Sequence, residues 1–325
     1  MQEINWGIIG CGNVTELKSG PAFNKVPNSK LLAVMRRDEN LLKDYALRHQ
    51  VPMTFTNASE LIHHPEINAV YIATPPNVHE QYAIEAIRAN KYVYVEKPMS
   101  TTVAACLNMQ LVANELGGKL VVAHYRRALP IFLKIKSLLA QNYIGSIIDV
   151  KIIMHKKAAP KTYYENNWRV NKETAGGGLF YDLAPHQLDL VLYFFGDPVS
   201  YEGMATNKVG LYSVEDTVKG EINFHNGISF QGEWCFASDQ ETEKDEFIIT
   251  GSNGIIQFAV FGHQIEIIKE GKIEKLNFDP PTHIQQPMIE KIVNYFLEKG
   301  DNPCSAEEAI KSMRVMEQFV YQNQF

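Results

Sequence analysis

Six short apolar runs, separated by helical patterns and short connections, fill the first 125 residues of this 325-residue chain. Near-continuous apolar runs of this kind are typical of parallel strands that are covered on both faces. The runs occupy residues 4–10, 30–37, 53–56, 69–74, 92–97 and 120–125. Strands that alternate with helices in this way predict a doubly wound parallel sheet.

The pattern changes after about residue 146, where the strands become longer and alternate apolar with polar residues. Predicted strands lie at 146–157, 214–224, 227–236, 245–260 and 263–276, with helices near 178–195, 283–298 and 305–322. Runs of strands with few helices predict an α+β domain with a large, mostly antiparallel sheet. The predicted fold class is therefore α/β, with a Rossmann-type domain over residues 1–125 and an α+β domain over residues 126–325.

Composition excludes several classes of protein. Charged residues make up 21% of the chain and the formal net charge is −6, which argues against a nucleic-acid partner. No apolar run reaches membrane-spanning length, and residues 1–10 enter a strand with no signal-peptide pattern. The four cysteines are scattered without metal-ligand spacing, which predicts no metal site and fits a reducing compartment. We therefore expect a cytoplasmic protein without a membrane partner.

A glycine-rich turn directly follows the first predicted strand. Gly10 and Gly12 form a G-x-G pattern, and Asn13 and Val14 begin the next helix. Glycine permits a tight turn here, and backbone N–H groups at a helix amino terminus can approach a pyrophosphate. Thr15 replaces the third glycine of the dinucleotide fingerprint, and an ordinary strand–helix turn is the alternative interpretation. These four residues are the predicted phosphate-binding turn.

The end of the second predicted strand indicates which nucleotide binds. An NAD site places an acidic residue there to hold the ribose 2′-hydroxyl group, but this chain has Arg36. A guanidinium can form two hydrogen bonds with a 2′-phosphate, which favours NADP by roughly ten- to hundredfold. Arg37 is predicted to lie on the adenine, and Asp38 to cap the next helix. Two solvated arginines at a strand end are the alternative.

Four segments carry a family resemblance: GIIGCGN, AVYIATPPNVH, YVYVEKPMS and GGGLFYDLAPHQLDLVLYFFG. Together they resemble the glucose–fructose oxidoreductase / inositol dehydrogenase (Gfo/Idh/MocA) oxidoreductases across essentially the whole chain. The E-K-P tripeptide and the D-x-x-x-H pattern are the specific parts. The resemblance implies NAD(P)-dependent oxidation or reduction of a sugar, polyol or related carbonyl compound. It also implies that Lys97, Asp182 and His186 are catalytic, that Pro98 is in cis, and that the sheet domain mediates dimers or tetramers.

These residue types suit hydride transfer. A histidine titrates near working pH and can move the proton of the reacting hydroxyl group, while a lysine can stabilise the developing alkoxide. Asp182 and His186 are four residues apart, so on a helix they share one face. The helix is apolar nearly all round, and Pro185 predicts that it begins late, near Asp182, or kinks. A satisfied core histidine is the alternative for His186.

Further candidates lie at the ends of the predicted strands and before the glycine run at 176–178. The additional cofactor-binding candidates are Thr74, Pro75, Asn77, His79, Glu96 and Lys97, of which His79 is equally explained as a helix-start residue. The substrate-binding candidates are Tyr125, Arg126, Tyr163, Trp168, Arg169 and Asp182. Trp168 is expected to stack on a sugar face.

The predicted function is an NADP-preferring oxidoreductase that transfers a hydride between nicotinamide and a sugar-like or polyol secondary alcohol or carbonyl, with NAD as the other coenzyme considered. Two alternatives stay open: a nucleotide-binding regulatory protein without turnover, and an NAD-dependent glycoside hydrolase that uses the same site. The intact set of Lys97, Asp182 and His186 argues against the first alternative, because a sensor does not need proton transfer.

Overall fold

The computed structural model describes residues 2–165, 167–225, 227–238 and 243–321. These divide into two compact units: residues 2–129 with 281–310, and the described residues of 130–280 with 311–321. The sequence predicted one boundary, after residue 125, and a contiguous second domain. The structure differs in that residues 281–310 belong to the first unit.

The first unit contains a six-stranded sheet in which every neighbouring pair is parallel. Its strands are β1 (Ile4–Ile9), β2 (Ser29–Met35), β3 (Met53–Phe55), β4 (Ala69–Ile72), β5 (Tyr92–Val95) and β6 (Leu120–Val122). The strand order is β3-β2-β1-β4-β5-β6, so the order reverses between β1 and β4. In such a sheet, ligands bind outside the carboxyl ends of the strands at the reversal. The predicted doubly wound sheet is confirmed.

Helices connect the strands of both units. In chain order they are α1 (Asn13–Leu17), α2 (Glu39–His49), α3 (Ala58–Ile62), α4 (His79–Arg88), α5 (Val103–Leu116), α6 (Pro130–Ala140), α7 (Lys161–Tyr164), α8 (Lys172–Ala175), α9 (Leu179–Phe195), α10 (Gln286–Phe296) and α11 (Ala306–Tyr321). Within the described residues, no helix combines the length and the apolar character that a bilayer crossing requires.

Long-range hydrogen bonds explain why residues 281–310 belong to the first unit. The ring Nδ1 of His283 lies 2.7 Å from the carbonyl oxygen of Leu17. The backbone N–H of Gln285 donates to the carbonyl of Lys18 at 3.0 Å, and the N–H of Val122 in β6 donates to Cys304 at 3.0 Å. These partners are far apart in the sequence, so local sequence patterns do not predict that they form hydrogen bonds.

The second unit contains an eight-stranded sheet with the order β14-β13-β12-β11-β7-β10-β9-β8. Its strands are β7 (Ile147–Lys157), β8 (Pro198–Thr206), β9 (Thr217–Phe224), β10 (Ser229–Ser238), β11 (Lys244–Gly251), β12 (Gly254–Phe258), β13 (Gln264–Lys269) and β14 (Lys272–Asn277). β7 and β10 pair in parallel, and the other neighbours pair antiparallel, as the sequence predicted. The sequence HNG at 225–227 also predicts a hairpin-like turn before β10, but residue 226 lies outside the described residues.

The sequence did not predict β8. Its residues PVSYEGMAT include a proline, a glycine and several polar side chains, so the segment lacks a clear strand pattern. β8 is the edge strand beside β9, and most of its side chains are exposed or half-buried. Pairing with β9, which no local pattern encodes, makes this segment a strand.

The long helix α9 packs on β9 and β10. The ring of Phe180 meets the indole of Trp234 edge-on at 5.1 Å between centroids, and both side chains are fully buried. α9 begins at Leu179, after Gly178, and continues through Pro185. Of the two predicted alternatives, the late start near Asp182 is therefore wrong, because burial of this helix outweighs the one hydrogen bond that the proline removes.

Candidate functional site

The glycine-rich turn lies at the carboxyl end of β1. Gly10 has φ +91°, and a Cβ atom there would lie 2.9 Å from the Thr74 side chain and 3.0 Å from the backbone of Ala73. Only glycine accepts that backbone conformation and that approach without strain. The N–H groups of Gly10 and Cys11 donate to the Met35 carbonyl at 2.9 and 3.2 Å. The turn is thereby held between β2 and the segment that follows β4.

Thr15 takes the place of the third glycine of the fingerprint. The residue is fully buried, and its hydroxyl group accepts from the Gly12 N–H at 3.0 Å and donates to the Gly12 carbonyl at 2.9 Å. The Tyr45 hydroxyl group donates to the Thr15 carbonyl at 2.9 Å. Close helix packing is instead supplied by Gly20, where a Cβ would lie 2.2 Å from the Thr15 carbonyl oxygen. Asn13 and Val14 follow in α1.

The arginine pair lies at the end of β2. Arg36 is half-buried, and its Nη1 donates to the Cys11 carbonyl at 3.1 Å, which brings the guanidinium to the glycine-rich turn. Arg37 is exposed. Asp38 accepts from the Leu41 N–H at 3.0 Å and caps α2, as the sequence predicted.

The segment after β4 contacts the same turn. Thr74 and Pro75 are half-buried and Asn77 is exposed. The Thr74 hydroxyl group is buried and has no hydrogen-bond partner within the part of the chain that the structure describes. A buried hydroxyl group without a partner is costly in an isolated protein, so a ligand that donates to it or accepts from it fits this place.

His79 is fully buried at the start of α4. Its Nδ1 lies 3.1 Å from the Pro98 carbonyl oxygen, and its Nε2 lies 2.8 Å from the Thr74 carbonyl oxygen. Burial lowers the pKa of the imidazole, although both carbonyl contacts oppose this shift. The ring therefore joins the segments that follow β4 and β5, and both of its nitrogens are occupied by backbone oxygens.

The E-K-P segment follows β5. Glu96 is buried, and its Oε1 accepts from the Tyr71 hydroxyl group at 2.5 Å and from the Gln285 side-chain amide at 2.7 Å. Its Oε2 accepts from the backbone N–H of Lys97 at 3.2 Å. The Lys97–Pro98 peptide bond is cis, as the resemblance implied. Glu96 therefore holds the backbone that carries the Lys97 side chain.

Sequence reasoning missed Gln285. It bonds Glu96 through its amide nitrogen and accepts from the buried Tyr94 hydroxyl group at 2.8 Å. Gln285 lies 189 residues after Glu96 and is itself only 1% exposed. The one signal in the sequence is a polar residue immediately before an apolar helix, which more often indicates a helix cap.

Tyr125 and Arg126 follow β6 in a short helical turn. Both are buried, and the Arg126 guanidinium lies 5.4 Å from the centre of the Tyr125 ring. Parallel strands end at one edge of the sheet, so this turn lies on the same side as the segments after β4 and β5.

In the second unit, α9 carries the D-x-x-x-H pattern. The Asp182 Oδ2 accepts from the Arg169 Nε at 3.1 Å, and both side chains are about one-third exposed (28% and 33%). His186, one turn along, is 5% exposed, and its ring meets the Phe261 ring edge-on at 5.7 Å. The structure thus brings Asp182 of α9 and Arg169 of the preceding segment together as an ion pair.

Two of the remaining substrate candidates differ in their surroundings. The Arg169 guanidinium lies 4.5 Å from the centre of the Trp168 ring. Trp168 therefore contacts the arginine of the Arg169–Asp182 ion pair. Tyr163 is 58% exposed and packs edge-on against Tyr164 at 5.1 Å.

The glycine run before α9 accommodates a buried carboxyl group. Glu215 Oε1 accepts from the Gly178 N–H at 2.6 Å, and a Cβ at Gly177 would lie 2.6 Å from this oxygen and 2.4 Å from the Tyr181 ring. Glu215 was not among the predicted site residues. A signal was available in Glu215 and Asp216, two adjacent acids near the start of the predicted strand 214–224.

The buried carboxyl group makes stability depend on pH. Burial raises the pKa of Glu215, while the Gly178 N–H and the charge of Lys172 oppose the shift. Its contribution to stability is therefore present below the ordinary glutamate pKa of about 4.3 and is lost as the pH rises through the raised value. We expect Glu215→Gln, which keeps an acceptor for Gly178, to gain stability relative to the native chain as the pH rises from 4 to 8.

Urea denaturation at a series of pH values measures this difference. The control is Glu221→Gln, which changes an exposed glutamate of β9. A stability difference between native and Glu215→Gln protein that stays constant over that pH range would contradict the assignment.

Among the described residues, no group of three or more His, Cys, Asp or Glu side chains is arranged to hold a metal ion. The first unit does fit a dinucleotide. The Gly10 turn leaves no room for a side chain, the Thr74 hydroxyl group lacks a partner in the described structure, and Arg36 lies beside the turn.

Comparison with known proteins agrees with this geometry. Oxidoreductase P35 of Formosa agariphila is 47% identical over 320 residues, covering 97% of this chain and 98% of the relative. The scyllo-inositol 2-dehydrogenase (NADP(+)) IolW of Bacillus subtilis is 30% identical over 196 residues, covering 60% and 52%. Levoglucosan dehydrogenase, solved in complex with NADH and levoglucosan, has a TM-score of 0.86 at 20% identity, covering 98% and 96%, and so shares the fold.

Two family matches cover most of the chain. Residues 4–124 match the oxidoreductase family with an NAD-binding Rossmann fold, and residues 132–257 match the GFO/IDH/MocA C-terminal domain. The chain therefore belongs to the Gfo/Idh/MocA family of oxidoreductases.

Proposed function

We propose that this oxidoreductase prefers NADP and transfers a hydride between nicotinamide and a secondary alcohol or carbonyl of a sugar or polyol. The observation that carries the proposal is a pair of polar side chains on α9, a largely apolar helix: Asp182, which is hydrogen-bonded to Arg169, and His186 one turn later. The name of the IolW relative, an NADP-dependent inositol dehydrogenase, supports a polyhydroxylated substrate.

Each side chain has a distinct role in the proposed reaction. In the oxidative direction, His186 accepts the proton of the reacting hydroxyl group, and in reduction it returns that proton. The Lys97 ammonium stabilises negative charge that develops on the same oxygen. The coenzyme, when bound, supplies or accepts the hydride.

Asp182 and Arg169 bind the substrate in this proposal. The Asp182 carboxylate accepts from a neighbouring hydroxyl group, and the Arg169 guanidinium fixes the carboxylate through the 3.1 Å bond. Trp168, whose ring is covered on one side by that guanidinium, offers an aromatic surface to the sugar. Tyr125, Arg126 and Tyr163 stay predicted substrate contacts.

The proposed coenzyme site consists of the turn at Gly10, Gly12, Asn13 and Val14, with Thr74, Pro75 and Asn77 facing the same sheet edge. Glu96 supports this site indirectly, because it bonds the Lys97 backbone. His79 likewise acts by joining two strand-end segments, since its ring nitrogens face carbonyl oxygens. A homodimer or homotetramer formed through the eight-stranded sheet, and a cytoplasmic location, remain predictions from the sequence.

Arg36 is proposed to set the coenzyme preference. We expect Arg36→Gln to weaken NADPH binding by about ten- to hundredfold, because one good charge-assisted contact contributes about 1.5–3 kcal/mol. NADH binding should change by less than about threefold, because NADH has no 2′-phosphate. Titration of nicotinamide fluorescence with each coenzyme measures both affinities.

A matched control for Arg36→Gln is Arg88→Gln, which changes an exposed arginine in the last turn of α4. An equal loss of NADPH and NADH affinity in the Arg36 variant would mean that the arginine supports the glycine-rich turn and does not bind the 2′-phosphate of NADPH.

Turnover with a panel of sugars and polyols, in the presence of NADP or NADPH, tests the function itself. Coenzyme binding without turnover of any substrate would favour the regulatory alternative. A captive coenzyme that never exchanges, together with glycoside cleavage, would favour the hydrolase.

A further inference from the structure

The second unit contains a cavity that shares only Trp168 with the roles proposed above. Its volume is about 510 Å³, and it lies between residues 161–165 and 167–174 on one side and residues 211–213 on the other. The side chains that matter here are Tyr164, Trp168, Tyr212, Asn167, Thr174 and Ser213. A cavity of this size falls within the range of small-molecule sites.

Aromatic rings form the apolar part of the wall. Tyr164 is buried, and its ring packs against that of Tyr212 at 4.9 Å with an interplanar angle of 55°. Tyr164 is fixed further by its hydroxyl group, which accepts from the Ala159 N–H at 3.0 Å. Trp168 also lines the cavity, and its indole ring packs against the Arg169 guanidinium. Rigid aromatic side chains of this kind bind the C–H faces of a sugar ring at low entropic cost.

The polar part of the wall is rich in amides and hydroxyl groups. The Tyr212 hydroxyl group is shielded from solvent and has no hydrogen-bond partner in the described ranges. Asn167 accepts from the Arg169 N–H at 3.2 Å, and its amide nitrogen is a further donor. Thr174 and Ser213 add hydroxyl groups. This mixture of aromatic surface and neutral hydrogen-bonding groups matches a glycosyl unit.

Charge argues against the other common ligand classes. Lys161 and Glu165 both line the cavity, so its charged side chains balance. A phosphorylated ligand would require an excess of positive charge, and a purely apolar ligand would leave the amides and hydroxyl groups without partners.

We infer that this cavity is a second sugar subsite, and that the substrate is a disaccharide or larger glycoside. The inference rests on the proposed function, because Trp168 of the cavity is adjacent to Arg169, which bonds Asp182 of the proposed substrate site. One sugar unit reacts, and the adjoining unit binds among Tyr164, Trp168 and Tyr212.

The test fills the cavity without removing core contacts. Ser213 is exposed at the cavity wall, so Ser213→Trp adds bulk there, while Ser137→Trp makes the same change at an exposed position of α6 outside the lining. Binding of the neutral disaccharides maltose, cellobiose and lactose is measured by saturation-transfer NMR and calorimetry. Each disaccharide is compared with its two constituent monosaccharides, and thermal melting verifies that each variant is folded.

We expect at least one disaccharide to bind about tenfold or more tightly than its constituents, which corresponds to about 1.4 kcal/mol. Ser213→Trp should abolish this advantage, and Ser137→Trp should keep it. Tyr212→Phe, which removes only the hydroxyl group, should weaken disaccharide binding about fivefold, the typical value of one hydrogen bond.

The binding measurement needs no turnover, so the two proposals fail separately. No disaccharide advantage in the native chain, or an advantage that survives Ser213→Trp, would overturn the subsite even if monosaccharides are oxidised. Disaccharide binding that Ser213→Trp abolishes supports the subsite, whether or not the sugar is then oxidised or reduced.

Discussion

Replacing His186 with alanine is expected to lower kcat by about 10²–10⁴, which is the usual contribution of a positioned general acid or base. The imidazole is the group on α9 whose ordinary pKa, about 6.5, allows it to both accept and return a proton near neutral pH. Substrate KM should change far less, because the proposed binding groups, Asp182 and Arg169, are retained. Steady-state kinetics over pH 5–9 measures the loss of kcat. The same measurement shows whether the variant loses the change of kcat with pH that protonation of the histidine causes.

The matched control is His155→Ala, which removes a histidine of the same unit that pairs with Glu233 at 3.2 Å. This variant should keep kcat within about twofold. Full turnover by His186→Ala protein, or the same loss in both variants, would identify His186 as a structural residue of a buried helix and would end its assignment as the proton-transfer group.

Replacing Lys97 with methionine is expected to lower kcat by about 10²–10³, the typical cost of removing one group that stabilises developing oxyanion charge. Methionine keeps the length and apolar stem of lysine, so the backbone held by Glu96 should be unaffected. Coenzyme affinity should therefore stay within about threefold of the native value. Turnover and fluorescence titration of the same preparation separate the two effects.

The control for this substitution is Lys43→Met, which changes an exposed lysine of α2 that pairs with Glu39. Lys97→Arg provides a second comparison, because it keeps the charge and should recover part of the lost rate. If Lys97→Met lost coenzyme affinity and turnover in parallel, the ammonium would be a coenzyme contact and not the electrostatic group.

Much of the fold follows from local sequence patterns. The apolar runs that predicted β1, β2, β4, β5 and β6 form largely buried strands, because such segments are favourable only where both faces are covered, whereas the edge strand β3 is half-buried or exposed. The cap of α2 was equally predictable from the sequence, because Asp38 stands directly before the helix. β8 was missed because an edge strand needs little apolar patterning, and its partner β9 decides its conformation.

The candidate site was predicted less completely. The family motifs indicated Lys97, Asp182 and His186, and the ends of the first and second strands indicated Gly10 and Arg36. They did not reveal which side chains support these residues. Gln285 and Arg169 donate hydrogen bonds to Glu96 and Asp182, respectively. Glu215 accepts a hydrogen bond from the glycine run before α9.

The sequence by itself therefore determined the strand–helix alternation, the glycine-rich turn and the family of this protein, because backbone preference and periodic burial are encoded in neighbouring residues. Only the tertiary structure decided that residues 281–310 belong with the first unit, that both His79 nitrogens face backbone carbonyls, and that Glu215 fills the space at Gly177. Hydrogen-bond partners of buried polar groups are chosen by proximity in space, and the partners here lie up to hundreds of residues apart along the chain.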